Sequence, residues 1–191
     1  RKEINLDEVV ISVNKWEQKL NEVPNKITKI TQAQIFRNNP QTSADLLAQT
    51  GAVFIQKSQL GGGSPMIRGF ATNRVLLVVD GVRMNNAIYR SGNLQNIISI
   101  DPLSTQTAEV IFGPGSLIYG SDAIGGVMDF HTLDARFSKD KKMLVKGSAL
   151  ARYSTANKEN TIHADVNFGW NKLSLLSSFS YSKFDDLKMG K

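Results

Sequence analysis

The sequence predicts an α+β domain followed by three antiparallel β-strands. Strand-like and helix-like patterns intermix between residues 26 and 135, a span of about 110 residues and a typical domain size. From residue 143 to 184, apolar and polar residues alternate in three runs of about 10–12 residues, as in strands with two unlike faces. The 191 residues, 41% of them hydrophobic, exclude a disordered segment, a collagen and a small disulfide scaffold.

Composition limits the class of protein further. The chain contains no cysteine, which excludes a disulfide framework and a thiolate metal site. The longest apolar run, Val75–Val79, is far shorter than the roughly 20 residues of a transmembrane helix. The formal net charge of +6 suggests an anionic partner. The one dense lysine cluster, residues 139–146, lacks the interleaved aromatic residues that stack on bases, so we expect no nucleic acid.

The first elements follow from capping and polarity. Residues 1–25 are polar, with one short apolar patch, and predict an extended tail. Lys26–Ile30 is a predicted strand. Thr31 and Gln34 have the spacing of a capping box, which predicts a helix over residues 32–38.

The rest of the α+β domain is predicted as one more helix and several strands. Ser43 is the predicted N-cap of a helix over residues 44–49. The continuous apolar run Val75–Val79 indicates a strand buried on both faces, and Asp80-Gly81 predicts a turn after it. The other predicted strands are Ala52–Gln56, Pro65–Arg68, Thr107–Phe112 and Val127–Thr132.

The last segment has the clearest pattern, and two structures explain it. Asn171-Lys172 predicts a tight turn between the second and third runs. Aromatic residues lie near the ends of the runs, as in the interfacial girdle of a transmembrane barrel: Tyr153, Trp170 and Tyr181. A soluble β-meander with one wet face alternates in the same way, so the pattern alone leaves both structures open. Because three strands cannot close a barrel, a barrel would make this chain the front end of a longer protein.

Three motifs resemble one family. Residues 51–85 read GAVFIQKSQLGGGSPMIRGFATNRVLLVVDGVRMN, and residues 108–132 read AEVIFGPGSLIYGSDAIGGVMDFHT. Both resemble the plug-domain signatures of TonB-dependent outer-membrane receptors. Residues 6–12, LDEVVIS, resemble the TonB box that precedes such plugs. The resemblance covers residues 6–135, and the three strands follow where the barrel of the family begins.

The resemblance implies a fold and a domain division. The family fold is a 22-stranded barrel with its lumen filled by an N-terminal plug. By resemblance, residues 1–25 are a flexible tail with the TonB box, residues 26–135 are an α+β plug domain with a mixed sheet, and residues 136–191 are a linker and the first three strands of a truncated barrel. The implied location is the Gram-negative outer membrane, with the plug facing the periplasm.

The resemblance also implies a transport function rather than an enzyme. The implied partners are the periplasmic C-terminal domain of TonB, outer-membrane lipid and a small-molecule ligand, with no cofactor. An iron complex such as a siderophore or haem is the expected ligand. A cobalamin or glycan receptor of the same family is an alternative, and a soluble α+β interaction module with a β-meander is another.

Two sets of binding residues are carried over by position. The TonB-binding set is Leu6, Asp7, Glu8, Val9, Val10, Ile11 and Ser12, a β-branched segment suited to strand addition, although on pattern alone an ordinary edge strand fits it too. The loop residues expected to contact ligand are Gln59, Leu60, Asn73, Ile88, Tyr89 and Arg90. Among these, Tyr89 and Arg90 stand out because a ring and a guanidinium recognise flat, anionic ligands.

A charge network between plug and barrel is the third implied site. Arg68, Arg83 and Glu109 are its members, and Arg68 is expected to pair with Glu109 or with barrel charges. The family commonly has Arg before Gly-Pro, where this chain has Phe112, so we expect a reduced network, in which a different partner for Glu109 is an open alternative.

Other polar residues do not form a site for chemistry. Asp122 and Asp129 have no other acids at ligand spacing, so we interpret them as structural and expect no metal. Neither His131 nor His163 lies in a nucleophile-elbow pattern, although His163, expected to face the lumen, is a possible haem ligand. The glycines match neither a dinucleotide fingerprint nor a Walker A motif, and we interpret them as tight turns.

Alternation and the family topology together predict faces for the barrel strands. The first strand, residues 143–154, is expected to rise from the periplasmic rim, with Thr155–Asn160 as the first external loop. The residues predicted to face lipid are Ile162, Val166, Phe168, Leu175 and Phe179. Those predicted to face the plug are His163, Asp165, Asn167 and Ser178.

Overall fold

The computed structural model describes residues 9–10, 18–19, 26–57, 63–71, 74–84, 95–113, 116–139 and 142–186. The chain divides into two compact units after Thr132, three residues before the boundary expected from sequence. In the part of the chain that the structure describes, no helix is long and apolar enough to cross a membrane.

A five-stranded mixed sheet is the centre of the first unit. Its strands are β3 (Ile27–Thr31), β6 (Val75–Val79), β7 (Val82–Arg83), β8 (Thr105–Phe112) and β9 (Gly126–Thr132). The strand order is β3-β8-β9-β6-β7, and β6 and β9 run parallel while the other neighbours run antiparallel.

The predicted burial of the apolar run is confirmed, because Val75 to Val78 are fully buried inside this sheet. The larger core lies on the face with Val75, Leu77 and Phe130, where two helices pack. The helices are α1 (Gln32–Asn38) and α2 (Ser43–Ala48). The opposite face carries a smaller core that includes Leu76, Val78 and Tyr119 of α3 (Ser116–Tyr119). Successive β6 side chains therefore enter one core and then the other. Because both faces of the strand are buried, every position in it is apolar.

Capping residues set where the helices start. The capping box of Thr31 and Gln34 is present, which confirms the first predicted helix. The prediction for the second helix was wrong at its cap: Thr42, not Ser43, is the N-cap. The Thr42 hydroxyl accepts from the backbone N–H of Asp45, whose carboxylate accepts from the backbone N–H of Thr42. Ser43 is buried and donates its hydroxyl to the carbonyl of Ile100, so it is committed to tertiary contact.

Two short hairpins complete the first unit. Strand β4 (Phe54–Lys57) pairs with β5 (Gly63–Met66), so both predicted strands exist with bounds shifted by one or two residues. Near the N-terminus, β1 (Val9–Val10) pairs antiparallel with β2 (Gln18–Lys19). The rest of residues 1–25 lies outside the described residues.

The Asp80-Gly81 turn is confirmed and has a second role. Both residues have positive φ, at 48° and 79°, the combination that a tight two-residue hairpin needs. The Asp80 carboxylate accepts hydrogen bonds from the Thr132 backbone N–H, at 2.9 Å, and from its hydroxyl, at 2.7 Å. The turn therefore also fixes the last residue of β9.

The second unit is a three-stranded antiparallel sheet in chain order. Its strands are β10 (Leu144–Ser154), β11 (Glu159–Gly169) and β12 (Ser174–Lys183). The predicted alternation of apolar and polar residues is confirmed, but the apolar face of the sheet is the exposed one. Ile162, Leu175 and Phe179 are 55–64% exposed, whereas Thr161, His163 and Asn167 are buried. A soluble meander with one wet face would bury its apolar side chains, so this sheet does not match that alternative.

The connections in this sheet are tight at both ends. Ser154 pairs with Glu159, so only residues 155–158 form the first turn, and the predicted loop Thr155–Asn160 is too long because pairing continues to the ends of the strands. At the other end, the Trp170 N–H donates to the Leu173 carbonyl at 2.7 Å, which confirms the predicted turn at Asn171-Lys172.

Candidate functional site

A row of charged side chains crosses the smaller-core face of the five-stranded sheet. Lys29 of β3 lies directly opposite Glu109 of β8, which lies directly opposite Asp129 of β9. Directly paired residues share a face, so these three side chains are neighbours. The Lys29 ammonium lies 4.0 Å from the Glu109 carboxylate, and Glu109 is only 1% exposed. Two buried carboxylates therefore lie side by side, with one lysine beside the first.

Two further groups surround Asp129. The Tyr119 hydroxyl donates to one carboxylate oxygen of Asp129 at 3.4 Å, and the His131 ring nitrogen Nε2 lies 3.8 Å from the same oxygen. The other oxygen, Oδ1, is buried and has no hydrogen-bond partner among the described residues. From the sequence, Asp129 was predicted to be structural, and no motif marked Tyr119 or Lys29. The available signal was one acidic residue among the apolar residues of each of two predicted strands, but only the strand register brings the two acids together.

The surroundings of Asp129 favour its neutral form. Burial, together with the negative charge of Glu109, raises the pKa of Asp129 from 3.8 to about 6, although His131 acts in the opposite direction. Burial, and the charge of Asp129, also raise the pKa of the Tyr119 hydroxyl above its ordinary value. Since the folded state binds this proton more tightly than the unfolded chain, the resulting stability is complete below pH 3.8 and is lost as the pH rises through about 6.

We expect Asp129→Asn to remove this pH dependence. The shift corresponds to a loss of about 2 kcal/mol of stability between pH 4 and pH 7, so the protection of β9 in the wild type should fall by about this amount as the pH rises. Hydrogen-exchange mass spectrometry of residues 126–132 in the whole protein, corrected for intrinsic exchange rates, measures the protection of β9 at each pH. Asp122→Asn, at an exposed ion pair, is the control and should keep the wild-type profile. A wild-type profile in Asp129→Asn would contradict the assignment.

Phe112 connects two cations at the end of β8. The Lys26 ammonium lies 5.6 Å from the centroid of the Phe112 ring, and the Arg68 guanidinium carbon lies 5.5 Å from it. Both are cation–π distances. Of the two pairings expected for Arg68, the one with Glu109 is not the arrangement found, since Arg68 lies over Phe112 and Glu109 lies near Lys29. The pairing with barrel charges stays a prediction. Phe112, which departs from the family pattern, therefore forms a cation–π contact with Arg68.

Arg83, the third member of the predicted charge network, forms an ion pair within the first unit. Its guanidinium donates to the Asp122 carboxylate at 2.9 Å. Both side chains are partly exposed, so this pair is weaker than a buried one.

The predicted binding segments are described only in part. Of the TonB-binding set, Val9 and Val10 form β1, in register with Lys19 and Gln18. Leu6, Asp7, Glu8, Ile11 and Ser12 lie outside the described residues. So do all six residues expected to contact ligand: Gln59, Leu60, Asn73, Ile88, Tyr89 and Arg90.

The buried face of the three-stranded sheet holds its polar side chains in cross-strand contacts. Glu159 accepts from Arg152 at 2.5 Å and from the Thr161 hydroxyl at 2.7 Å. His163 Nδ1 lies 2.7 Å from the Ser180 hydroxyl.

The start of the second unit closes one end of this face. The Asn167 side chain bonds both the N–H and the carbonyl of Arg136, each at 2.9 Å. Gly169 is required there, because a Cβ would lie 2.2 Å from the Arg136 carbonyl oxygen. Across the described ranges, no group of three or more His, Asp or Glu is placed to hold a metal.

A mixed-sheet domain with two helices on one face, followed by strands with an exposed apolar face, defines the class as a plug domain and the start of its barrel. The family model described as "TonB-dependent Receptor Plug Domain" matches residues 19–127. The chain belongs to this family.

Curated relatives are much longer than this chain. It is 35% identical over 189 residues to the vitamin B12 transporter BtuB of Vibrio vulnificus, covering 95% of this chain and 29% of the relative. It is 30% identical over 182 residues to the hemin receptor of Yersinia pestis, covering 95% of this chain and 24% of that protein. The chain therefore spans less than a third of these relatives.

Solved structures share the fold. The copper transporter OprC matches 84% of this chain and 24% of its own, with a TM-score of 0.70 and 19% identity. The alcaligin outer-membrane receptor FauA of Bordetella pertussis matches 91% of this chain and 29% of its own, with a TM-score of 0.65 and 15% identity. At these identities the likeness concerns the fold alone.

Proposed function

We propose that this chain is the plug and barrel onset of a TonB-dependent transport receptor in the outer membrane of a Gram-negative bacterium. Within it, the plug closes the barrel lumen, contributes to ligand binding and responds to TonB. Transport of a bound molecule, rather than catalysis, is the activity proposed for the whole protein.

One observation carries the proposal. A plug-family domain is followed directly by three long strands that expose apolar side chains, and the central strand, β11, buries its polar ones. A sheet of this kind suits a lipid environment on its exposed face and a polar lumen on the other. In water, the same sheet would present a large apolar surface and two open edges, which favour aggregation.

The energy-coupling step is assigned to residues 6–12. A β-branched segment can add as a strand to the sheet edge of TonB, with main-chain hydrogen bonds supplying affinity. In the structure, Val9 and Val10 already adopt an extended, paired backbone. Tension on this segment would reach the five-stranded sheet at β3, which is an edge strand.

The proposed ligand is an iron complex, either a siderophore or haem. The support is the pair Tyr89 and Arg90 in a predicted apical loop, since a ring and a guanidinium suit flat, anionic molecules. Relatives named for hemin and for vitamin B12 are both similar to this chain, so cobalamin is the second candidate.

Uptake by a receptor-deletion strain that expresses the full-length protein tests the proposal. Cells would be offered radiolabelled ferric siderophores, haem and cobalamin separately, with and without a protonophore that removes the energy source. We expect accumulation of one iron compound that the protonophore abolishes. Energy-dependent uptake of cobalamin alone would replace the ligand assignment. No energy-dependent uptake of any compound, from a receptor that is present in the outer membrane, would overturn the transport function.

A further inference from the structure

One end of the three-stranded sheet collects cationic and apolar side chains on its surface. The turn between β11 and β12 carries exposed Lys172 between Trp170, which is 41% exposed, and Leu173, which is 64% exposed. The Trp170 ring lies 6.5 Å from that of Phe168. An indole and a lysine at a strand end are the side chains that favour a boundary between hydrocarbon and water.

A second segment is held at the same end by hydrogen bonds. The Ser138 N–H donates to the Trp170 carbonyl at 3.2 Å, and its hydroxyl donates to the Lys142 carbonyl at 2.6 Å. These contacts place exposed Lys139 and Lys142 beside the turn that carries Lys172. In sequence, residues 139–142 read KDKK, so three lysines outnumber one aspartate.

The opposite end of the same sheet has a balanced charge. It carries exposed Lys158 and Lys183, but Asp185 and Asp186 follow directly in the chain. The Asp185 N–H donates to the Asn157 carbonyl at 2.9 Å, which fixes this acid at the turn of Lys158. The two ends of one small sheet therefore differ in charge while both expose aromatic rings.

We propose that the end with Lys139, Lys142, Lys172 and Trp170 is a binding site for the headgroup of an anionic phospholipid. The inference rests on the proposed membrane function. Ammonium groups attract the headgroup phosphate, while Trp170 and Leu173 contact the adjoining acyl chains. Phospholipid, rather than lipopolysaccharide, is the occupant because β10 starts at this end, directly after the plug, and the family topology predicts that this strand rises from the periplasmic rim.

Lipid retention by the full-length receptor tests this site. The receptor would be purified in mild detergent and mixed with equal amounts of phosphatidylglycerol, phosphatidylcholine and lipopolysaccharide, and the retained lipids would be counted by native mass spectrometry. We expect the preference for phosphatidylglycerol to fall about tenfold in the triple variant Lys139→Gln, Lys142→Gln, Lys172→Gln. The double variant Lys158→Gln, Lys183→Gln, at the opposite end, should keep the wild-type preference.

A second measurement needs no change to the lysines. Brominated phosphatidylglycerol should quench the fluorescence of Trp170, taken as the difference between wild type and Trp170→Phe, more strongly than brominated phosphatidylcholine does. Equal quenching, an unchanged preference in the triple variant, an equal loss in the double variant, or preferential retention of lipopolysaccharide would each overturn the site. A receptor that fails to reach the outer membrane would instead overturn the proposed function.

Discussion

A full-length receptor that carries Val10→Pro is expected to lose energised uptake and keep its ligand affinity. Proline has no backbone N–H and cannot donate to a ladder, so strand addition to TonB would fail while ligand-contacting loops stay intact. Uptake should fall to the level seen with a protonophore. Ligand affinity of the purified receptor should stay within about twofold, because no ligand contact is removed.

The matched control is Val10→Thr, which keeps the β-branched shape and the N–H. It should retain most of the uptake, since main-chain bonds supply the affinity in strand addition. Whole-cell uptake and binding to the purified receptor would be measured on the same preparations. Normal uptake by Val10→Pro would show that residues 6–12 are not the coupling segment.

The second large effect is a loss of barrel stability, expected from a substitution at one of two neighbouring serines, Ser177 and Ser178. Ser177 pairs with Val166 on the apolar face, and Ser178 pairs with Asp165 on the polar face. We expect Ser177→Arg to destabilise the barrel by about 2–4 kcal/mol if it lies near the bilayer midplane, because the charge then meets lipid. Ser178→Arg, one residue away, should escape this penalty. Urea-induced unfolding of the receptor in lipid vesicles measures both variants.

Cysteine substitution at the same two positions checks the facing independently. Serine and cysteine are similar in size, so Ser177→Cys and Ser178→Cys perturb packing little. A membrane-restricted thiol reagent should label position 177 and not position 178 in the intact receptor. Preferential labelling of position 178 would mean that the register is shifted by one residue, which exchanges the two faces.

Local sequence signals predicted most of the elements. The capping box at Thr31, the apolar run of β6 and the Asp80-Gly81 turn are interactions over a few residues, and each is present in the structure. The cap of α2 was wrong for a tertiary reason. Both Thr42 and Ser43 are suitable capping residues, and the contact of Ser43 with Ile100, far along the chain, leaves the cap to Thr42.

The charged row could not be predicted, because it depends on strand register. Lys29, Glu109 and Asp129 are distant in sequence, and only the pairing of β3, β8 and β9 places them side by side. The contacts of the Phe112 ring with Lys26 and Arg68 likewise form only in the folded domain, because the three residues are distant in sequence. Motif positions alone therefore did not indicate Lys29 as a neighbour of Glu109 or Phe112 as a contact of Arg68.

For the three strands, the alternating pattern was enough to predict which residues share a face, because side chains in a strand point alternately to opposite sides. The pattern alone left open which face is covered, and only the family resemblance predicted it. The tertiary structure shows the covering, since the Arg136 backbone bonds the buried Asn167 side chain while Ile162 and Phe179 stay exposed. The physical reason is that alternation is a local property of the backbone, whereas burial depends on segments that come from elsewhere in the chain.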